Sequence, residues 1–246
     1  MKPASSLEFF NESTALFALT TDITEKELNF FKKIGITHNS RVLEQCCGRG
    51  YLSNLLTKSI SCKTLGIDII PEYIHYAKKF AFDNNLITRF EEGDLLSDKC
   101  YGRFNYVINW NTSWAYFEDD EKNIIFLINA FKNLRHGGQF ILEFYNSEYV
   151  INNFQKQRES IIKIDDVEYK LVKNSEIVNG LLNSEWTISN KNESIFKNQF
   201  STRMYTIIDI KNMLEKVGFK DVEVLNKETF EAHGKESKKN VFICKK

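Results

Sequence analysis

The run Arg41-Val42-Leu43-Glu44-Gln45-Cys46-Cys47-Gly48-Arg49-Gly50 concentrates the residues best suited to hold a ligand. A β-rich segment ends near an acidic side chain, Glu44, and a turn carrying Gly48 and Gly50 leads into a helical pattern. Glycine lets the backbone take left-handed angles and pass close to a bound molecule. A lone G-x-G spacing is a weak signal. It gains weight from Asp68, which ends the next β-rich run, where a carboxylate can accept two hydrogen bonds from ribose hydroxyls. Gly93-Asp94-Leu95 follows the third such run. After the fourth comes Asn109-Trp110-Asn111-Thr112-Ser113-Trp114-Ala115-Tyr116-Phe117, a cluster of amides and aromatic rings. Aromatic faces attract cations, at ~0.5–2 kcal/mol per good contact. Plain packing is the competing reading for each ring taken singly.

The elements that must position these residues alternate along the chain. Strands are predicted at Arg41 to Cys46, Lys63 to Ile69, Thr88 to Glu92, Phe104 to Trp110 and Gln139 to Tyr145, with helical patterns between them. That order signals βαβ units and a parallel sheet covered on both faces, whose strand ends line one rim. Pro71 suits the first position of a helix carrying Tyr73, Ile74, Ala77, Phe80 and Ala81 on its apolar face. Glu118 to Glu121 opens another, with Ile124, Leu127, Ile128, Phe131 and Leu134 as its stripe and Gly137-Gly138 as its stop. From Ser147 to Thr202 the period changes to alternation with asparagine-rich turns (Ile161 to Ile164, Glu168 to Val172, Leu181 to Ile188, Ser194 to Phe200), which reads as an antiparallel insertion. Thr206 to Val217 is helical, capped by Gly218, and Val222 to Leu225 with Asn240 to Cys244 closes the sheet as an antiparallel pair. Leu7 to Ile34 reads as one or two helices ahead of the first strand.

These linked motifs resemble class I S-adenosylmethionine-dependent methyltransferases, whose first motif reads roughly V-L-D-x-G-C-G-x-G. The likeness covers Arg41 to about Asn146, and Arg203-Met204-Tyr205-Thr206 through Val217-Gly218-Phe219 is similar to the family's late helix and turn. The resemblance implies a Rossmann-like α/β fold: a seven-stranded, mostly parallel sheet with an antiparallel last strand and a β-rich insertion after strand five. It implies one methyltransferase domain over 1–246, made of a helical cover (1–40), a donor-binding core (41–146), a substrate flap (147–203) and a C-terminal helix and strand pair (204–246). It also implies S-adenosylmethionine as cofactor, with S-adenosylhomocysteine as product. Glu44 and the Cys46 to Gly50 loop would face the methionine portion, Asp68 the ribose, and Asp94 with Leu95 the adenine. Ile69 and Asn109 complete the donor contacts. Cys46, Gln45 and Arg49 depart from the family pattern; a cysteine at position 46 suits a backbone contact to the donor only if its φ is negative.

A nicotinamide dehydrogenase is the main competitor, yet Gly48-Arg49-Gly50 continues to Ser53 rather than to a third small residue. Charge also discriminates. Glu44 would repel a pyrophosphate and attract a donor carrying an ammonium and a sulfonium, by ~4 kcal/mol at ~4 Å and an effective dielectric near 20, before desolvation. Lysine plus arginine and aspartate plus glutamate both total 33, so no bulk basic field argues for nucleic acid. The absence of D/N-P-P-Y/F argues against an exocyclic base amine as acceptor. Apolar runs fall far short of the roughly 20 residues that span a bilayer, and an acidic residue precedes any apolar leader, which favours the cytoplasm. Five cysteines lack C-x-x-C spacing, so reduced buried thiols and no metal site are expected.

The acceptor is therefore expected to be a small molecule presenting a hydroxyl or amine, a sugar or cell-surface precursor among the candidates, with no membrane partner and a homodimer compatible with the sequence. Trp110, Trp114, Tyr116, Arg203 and Tyr205 are the candidate substrate contacts. A hydroxyl acceptor needs a base, and His233, in the loop between the last two strands, is the best-placed histidine; Glu143 and Tyr145 at the end of strand five are the other candidates. An RNA or protein acceptor, and a donor-binding protein without turnover, are the alternatives.

Overall fold

The computed structural model describes residues 8–10, 23–164, 167–190 and 193–246. Helix α1 (Glu25–Lys33) opens on a capping box in which Thr24 and Glu27 satisfy each other's backbone N–H groups. The alternating core follows as β1 (Arg41–Gln45), α2 (Tyr51–Ile60), β2 (Lys63–Asp68), α3 (Pro71–Asp83), β3 (Arg89–Glu92), β4 (Phe104–Asn109), α4 (Asp120–Asn133) and β5 (Leu134–Tyr145). After a short α5 (Ser147–Asn152) come β6 (Gln157–Ile164), β7 (Val167–Val178), β8 (Leu181–Asn190) and β9 (Glu193–Arg203), then α6 (Ile207–Val217), β10 (Lys220–Asn226) and β11 (Lys239–Lys245).

Seven strands form one sheet in the order β10-β11-β5-β4-β1-β2-β3, and β6 to β9 form a second, antiparallel sheet. Pairs β1–β2, β1–β4, β2–β3 and β4–β5 are parallel, while β11 runs antiparallel to both β5 and β10. Chain order runs outward from β1 through β2 and β3, then jumps back to β4 on the other side of β1. The crevice between β1 and β4 is thus a topological switch point, where open α/β sheets bind ligands beyond the carboxyl ends of their strands. Every residue of β1 after Arg41 is buried, because helices cover both faces of the sheet. One face packs Leu43, Val107, Phe140, Leu142 and Phe144 against α4 and α6, and the other packs Val42, Ile108, Ile141 and Val241 against α1 and α2.

Three sequence expectations are corrected here. Gly137-Gly138 does not stop the α4 helix; β5 already begins at Leu134, and the glycines lie in an irregular stretch where β4 and β5 shift register. The apolar stripe of α4 is only part of its buried face: Leu127 and Leu134 are buried and Phe131 packs on the core, but Ile128 is exposed and Asn123, Asn129 and Asn133 are buried as well. The physical reason is the accounting of buried backbone polar groups, since Asn123 serves Phe117 and Asn133 receives the Tyr101 N–H. The region after Asn146 opens with a helix before its strands begin. Of the expected N-terminal helices, α1 is observed and residues 8–10 are helical, and the remainder lies outside the described residues.

Candidate functional site

The loop leaving β1 is bent by three left-handed residues, Cys46 (φ 53°), Gly48 (φ 53°) and Gly50 (φ 75°). Cys46 therefore lacks the negative φ on which its backbone contact to the donor was conditional. A Cβ on Gly50 would stand 2.5 Å from the Phe90 ring and 2.9 Å from Ala77, so close packing of α2 on the sheet demands glycine. At Gly48 a Cβ would meet nothing within 4 Å, which leaves that side of the turn open to a ligand.

Asp68, at the end of β2, ties this turn down. Its Oδ2 accepts the Gly48 N–H at 2.7 Å and its Oδ1 accepts the Ile70 N–H at 3.0 Å. Burial pushes its pKa up to about 6 against the pull of these backbone donors. Glu44 is turned differently from the sequence expectation. Its Oε2 accepts both the N–H (3.0 Å) and the hydroxyl (2.5 Å) of Ser53 in the first turn of α2, so it braces the loop from beneath. Burial raises its pKa to about 8. Ile69 is exposed beside Asp68, Leu95 is buried beneath the rim, and Asp94 caps its own turn by accepting the Leu96 N–H.

At the end of β4, Asn109 is 1% exposed, and apart from the Cys46 thiol beside it its amide meets no hydrogen-bond partner. Its register partner on β1 is Gln45, whose Oε1 is likewise unpartnered while its Nε2 donates to Asn129. The Cys46 thiol lies beside the Asn109 amide, its pKa pushed well up, by burial first and by Asp68 and Glu44 after it. Buried amides without partners are uncommon in folded proteins; Asn54 of α2 and Asn240 of β11 share the state, but Asn109 and Gln45 stand at the β1/β4 crevice. Together with the open turn at Gly48, they make a cradle with hydrogen-bonding capacity to spare.

The loop after β4 carries a second left-handed run, Asn111 (φ 57°), Thr112 (φ 56°) and Ala115 (φ 67°). Tyr116 ends it, donating its hydroxyl to the Thr112 carbonyl at 2.9 Å. Its ring meets Phe10 (5.1 Å) and Phe200 of β9 (6.0 Å) edge-on. Burial raises its phenol, and Cys46, Glu143 and Tyr73 are close enough to add to that shift. The Tyr73 hydroxyl donates to the Phe10 carbonyl. Tyr116 thus marks the point where the glycine loop, helix α3, residues 8–10 and the inserted sheet converge. Tyr73, Phe10 and Phe200 were missed in the sequence because only tertiary folding brings them there.

Other expected site residues go elsewhere. Trp110 is buried under α1, donating to Glu27 Oε1 at 3.0 Å and packing on Phe30 and Phe31. Trp114 donates to the Asn123 carbonyl and stacks on Tyr205. Tyr205 in turn donates to Asp120, and Arg203 pairs with the same carboxylate at 3.1 Å, so both fasten the inserted sheet to α4. Tyr145 donates to the Arg203 carbonyl at 3.0 Å, and burial raises its phenol well above the ordinary value. Glu143 is fully buried and binds Asn111, Thr112 and Lys239. His233 is exposed and forms no hydrogen bond among the described residues. Cys46 is half-buried and Cys100 exposed, so the expectation of uniformly buried thiols fails at two positions. No group of metal-ligating side chains occurs among the described residues.

A separate hollow of about 420 Å³ lies on the inserted sheet, lined by Glu118, Glu176, Glu185, Lys156 and the backs of Phe200 and Ser201. It shares the Phe200 wall with the Tyr116 cluster, but the glycine turn and the buried amides lie apart from it.

The methyltransferase-domain family matches residues 36–218. The chain belongs to that family, the S-adenosylmethionine-dependent class of enzyme whose sheet order and β1 turn it carries. A protein of Methanocaldococcus jannaschii provisionally named as a protein N5-glutamine methyltransferase is 30% identical over 133 residues, 54% of this chain. The chain spans 65% of that relative's length. Among solved structures, an S-adenosylmethionine-dependent methyltransferase from Clostridium acetobutylicum superposes with a TM-score of 0.78 at 15% identity, covering 98% of this chain and 99% of that one. A sugar N-methyltransferase from a Streptoalloteichus species reaches 0.67 at 12% identity over 100% of this chain and 94% of that one. Among the described residues, no helix is long and apolar enough to cross a membrane.

Proposed function

We propose that the chain transfers a methyl group from S-adenosylmethionine to an amine of a small, sugar-like acceptor. The observation that carries this reading is the buried Asn109 amide, met only by the Cys46 thiol, beside the open, left-handed glycine turn at the β1/β4 crevice. The cradle fits the donor's polar groups: Gly48 and Asn109 beside the amino-acid tail, Asp68 at the ribose with Ile69 alongside, and Asp94 with Leu95 at the base. Bound there, the donor supplies a methyl carbon on a sulfonium, which leaves as a neutral thioether when a nucleophile's lone pair attacks in line.

An amine is favoured over a hydroxyl by what surrounds Tyr116. Tyr116 and Tyr145 spend their hydroxyl protons on carbonyls with raised phenol pKa values, Glu143 is engaged on both oxygens, and His233 is an exposed loop residue. A neutral amine brings its own lone pair and needs no strong base, so positioning supplies the rate, up to ~7–11 kcal/mol of the barrier. Phe10, Tyr116 and Phe200 would shield the reacting centre from water. The fold likeness to a sugar N-methyltransferase supports the same class.

The test combines calorimetry with product analysis. Asp68→Ala should weaken S-adenosylhomocysteine binding by roughly 1–3 kcal/mol, the scale for hydrogen bonds to a charged group. Incubation with methyl-labelled donor and a panel of amino sugars, sugars and glutamine peptides should label an amine. Unaltered affinity in a folded Asp68→Ala protein would sink the donor pocket; label on a glutamine peptide would move the acceptor to protein, as the name of the archaeal relative suggests.

A further inference from the structure

Glu143 lies at the end of β5 with its side chain fully buried, on the sheet face it shares with Ile141 and, across the register, with Val241 of β11. Both of its oxygens are engaged. Oε2 accepts the Asn111 N–H at 3.0 Å, while Oε1 accepts the Thr112 hydroxyl at 3.0 Å and faces Lys239 Nζ at 2.9 Å. The two residues it binds are consecutive non-glycine residues in the left-handed region, one of them β-branched. Asparagine tolerates that conformation, but a β-branched threonine takes it only at a steric cost that its surroundings must offset. The next link is Tyr116, whose hydroxyl is accepted by the carbonyl of that same Thr112.

We propose that Glu143 is a positioning residue: by holding Asn111 and Thr112 left-handed, it sets Tyr116 against the donor loop, and it does not itself exchange a proton with the acceptor. Lys239 belongs to the device. It neutralises a carboxylate that would otherwise be buried alone, and it comes from β11, so closing the sheet with its antiparallel strand is what completes the loop. The inference rests on the donor pocket proposed above for its consequence to binding, but the loop geometry stands without any ligand.

Two readouts decide it. In the ligand-free protein, hydrogen exchange at the Asn111 amide should accelerate at least about tenfold in Glu143→Gln, because a charged acceptor is replaced by a weaker neutral one. S-adenosylhomocysteine should bind about tenfold more weakly to the same variant, a loss of the size expected for one charge-assisted hydrogen bond. Replacing Asn111 and Thr112 together with glycine, which adopts left-handed angles freely, should restore most of that affinity in the Glu143→Gln background. Thr112→Val, which removes one anchor and leaves Glu143 intact, should weaken binding in the same direction and serves if the glutamine variant does not fold. Unchanged exchange at Asn111 in Glu143→Gln overturns the proposal, as does an affinity loss that the glycines do not recover. Failure of the unaltered protein to bind S-adenosylhomocysteine would instead refute the donor pocket, and the exchange measurement would still decide the role of Glu143.

Discussion

Replacing Glu44 by glutamine should stabilise the ligand-free protein at alkaline pH, because this carboxyl is buried at the cost of its charge. Its Oε2 is held by the Ser53 N–H and hydroxyl, and burial lifts its pKa from 4.5 to about 8. A folded-state pKa above the unfolded value means that the native state holds the proton more tightly. The stability this contributes is fully present below pH 4.5 and is lost as pH rises through about 8. Between those limits each pH unit costs about 1.4 kcal/mol, so at pH 7 the loss from this one group is about 3 kcal/mol. Glutamine keeps an oxygen for both Ser53 donors and cannot ionise. Urea unfolding across pH 5 to 9 should therefore show little difference at the acid end and a more stable Glu44→Gln protein at the alkaline end. Above about pH 8, where Glu44 is ionised, the same variant should bind S-adenosylhomocysteine less well, since it lacks the carboxylate's field on a cationic amino-acid tail. Parallel stability curves for the two proteins across that range would refute the argument, because they would mean that Glu44 ionises in the folded protein as easily as in the unfolded chain.

Other outcomes follow from the same geometry. Gly50→Ala should lose about 2–4 kcal/mol in thermal or urea unfolding, combining a left-handed angle with overpacking against Phe90. Arg203→Ala should cost no more than ~1 kcal/mol of global stability, because its ion pair with Asp120 is partly exposed. Limited proteolysis should nonetheless cut its inserted sheet sooner, as the Asn179 carbonyl also loses its donor. His233→Ala should leave donor affinity and single-turnover methyl transfer as they are; a transfer rate reduced a hundredfold would return this exposed side chain to the chemistry.

Alternation of short β-rich and helical segments from Arg41 to Tyr145 made the parallel sheet legible, because strand burial and helix amphipathicity are local properties of the chain. The glycine turn, Asp68 and the antiparallel insertion could be placed for the same reason. The helix after Glu118 shows where that reading fails: its apolar stripe was clear, yet Asn123, Asn129 and Asn133 face inward. What a helix buries depends on which neighbouring backbone groups need partners, and periodicity carries no record of them. Trp110 and Trp114 lie next to each other in a rim loop by sequence, but the loop's left-handed turns send one under α1 and the other onto Tyr205. Glu44 could be read as an acid at a strand end, while its bond to Ser53 depends on how α2 docks. The sequence by itself determined the order of the elements and the glycine turn that follows β1. Only the tertiary structure decided that Glu143, Lys239 and Thr112, distant along the chain, meet at one point, because a buried charge takes its partners from whichever strands the sheet places beside it.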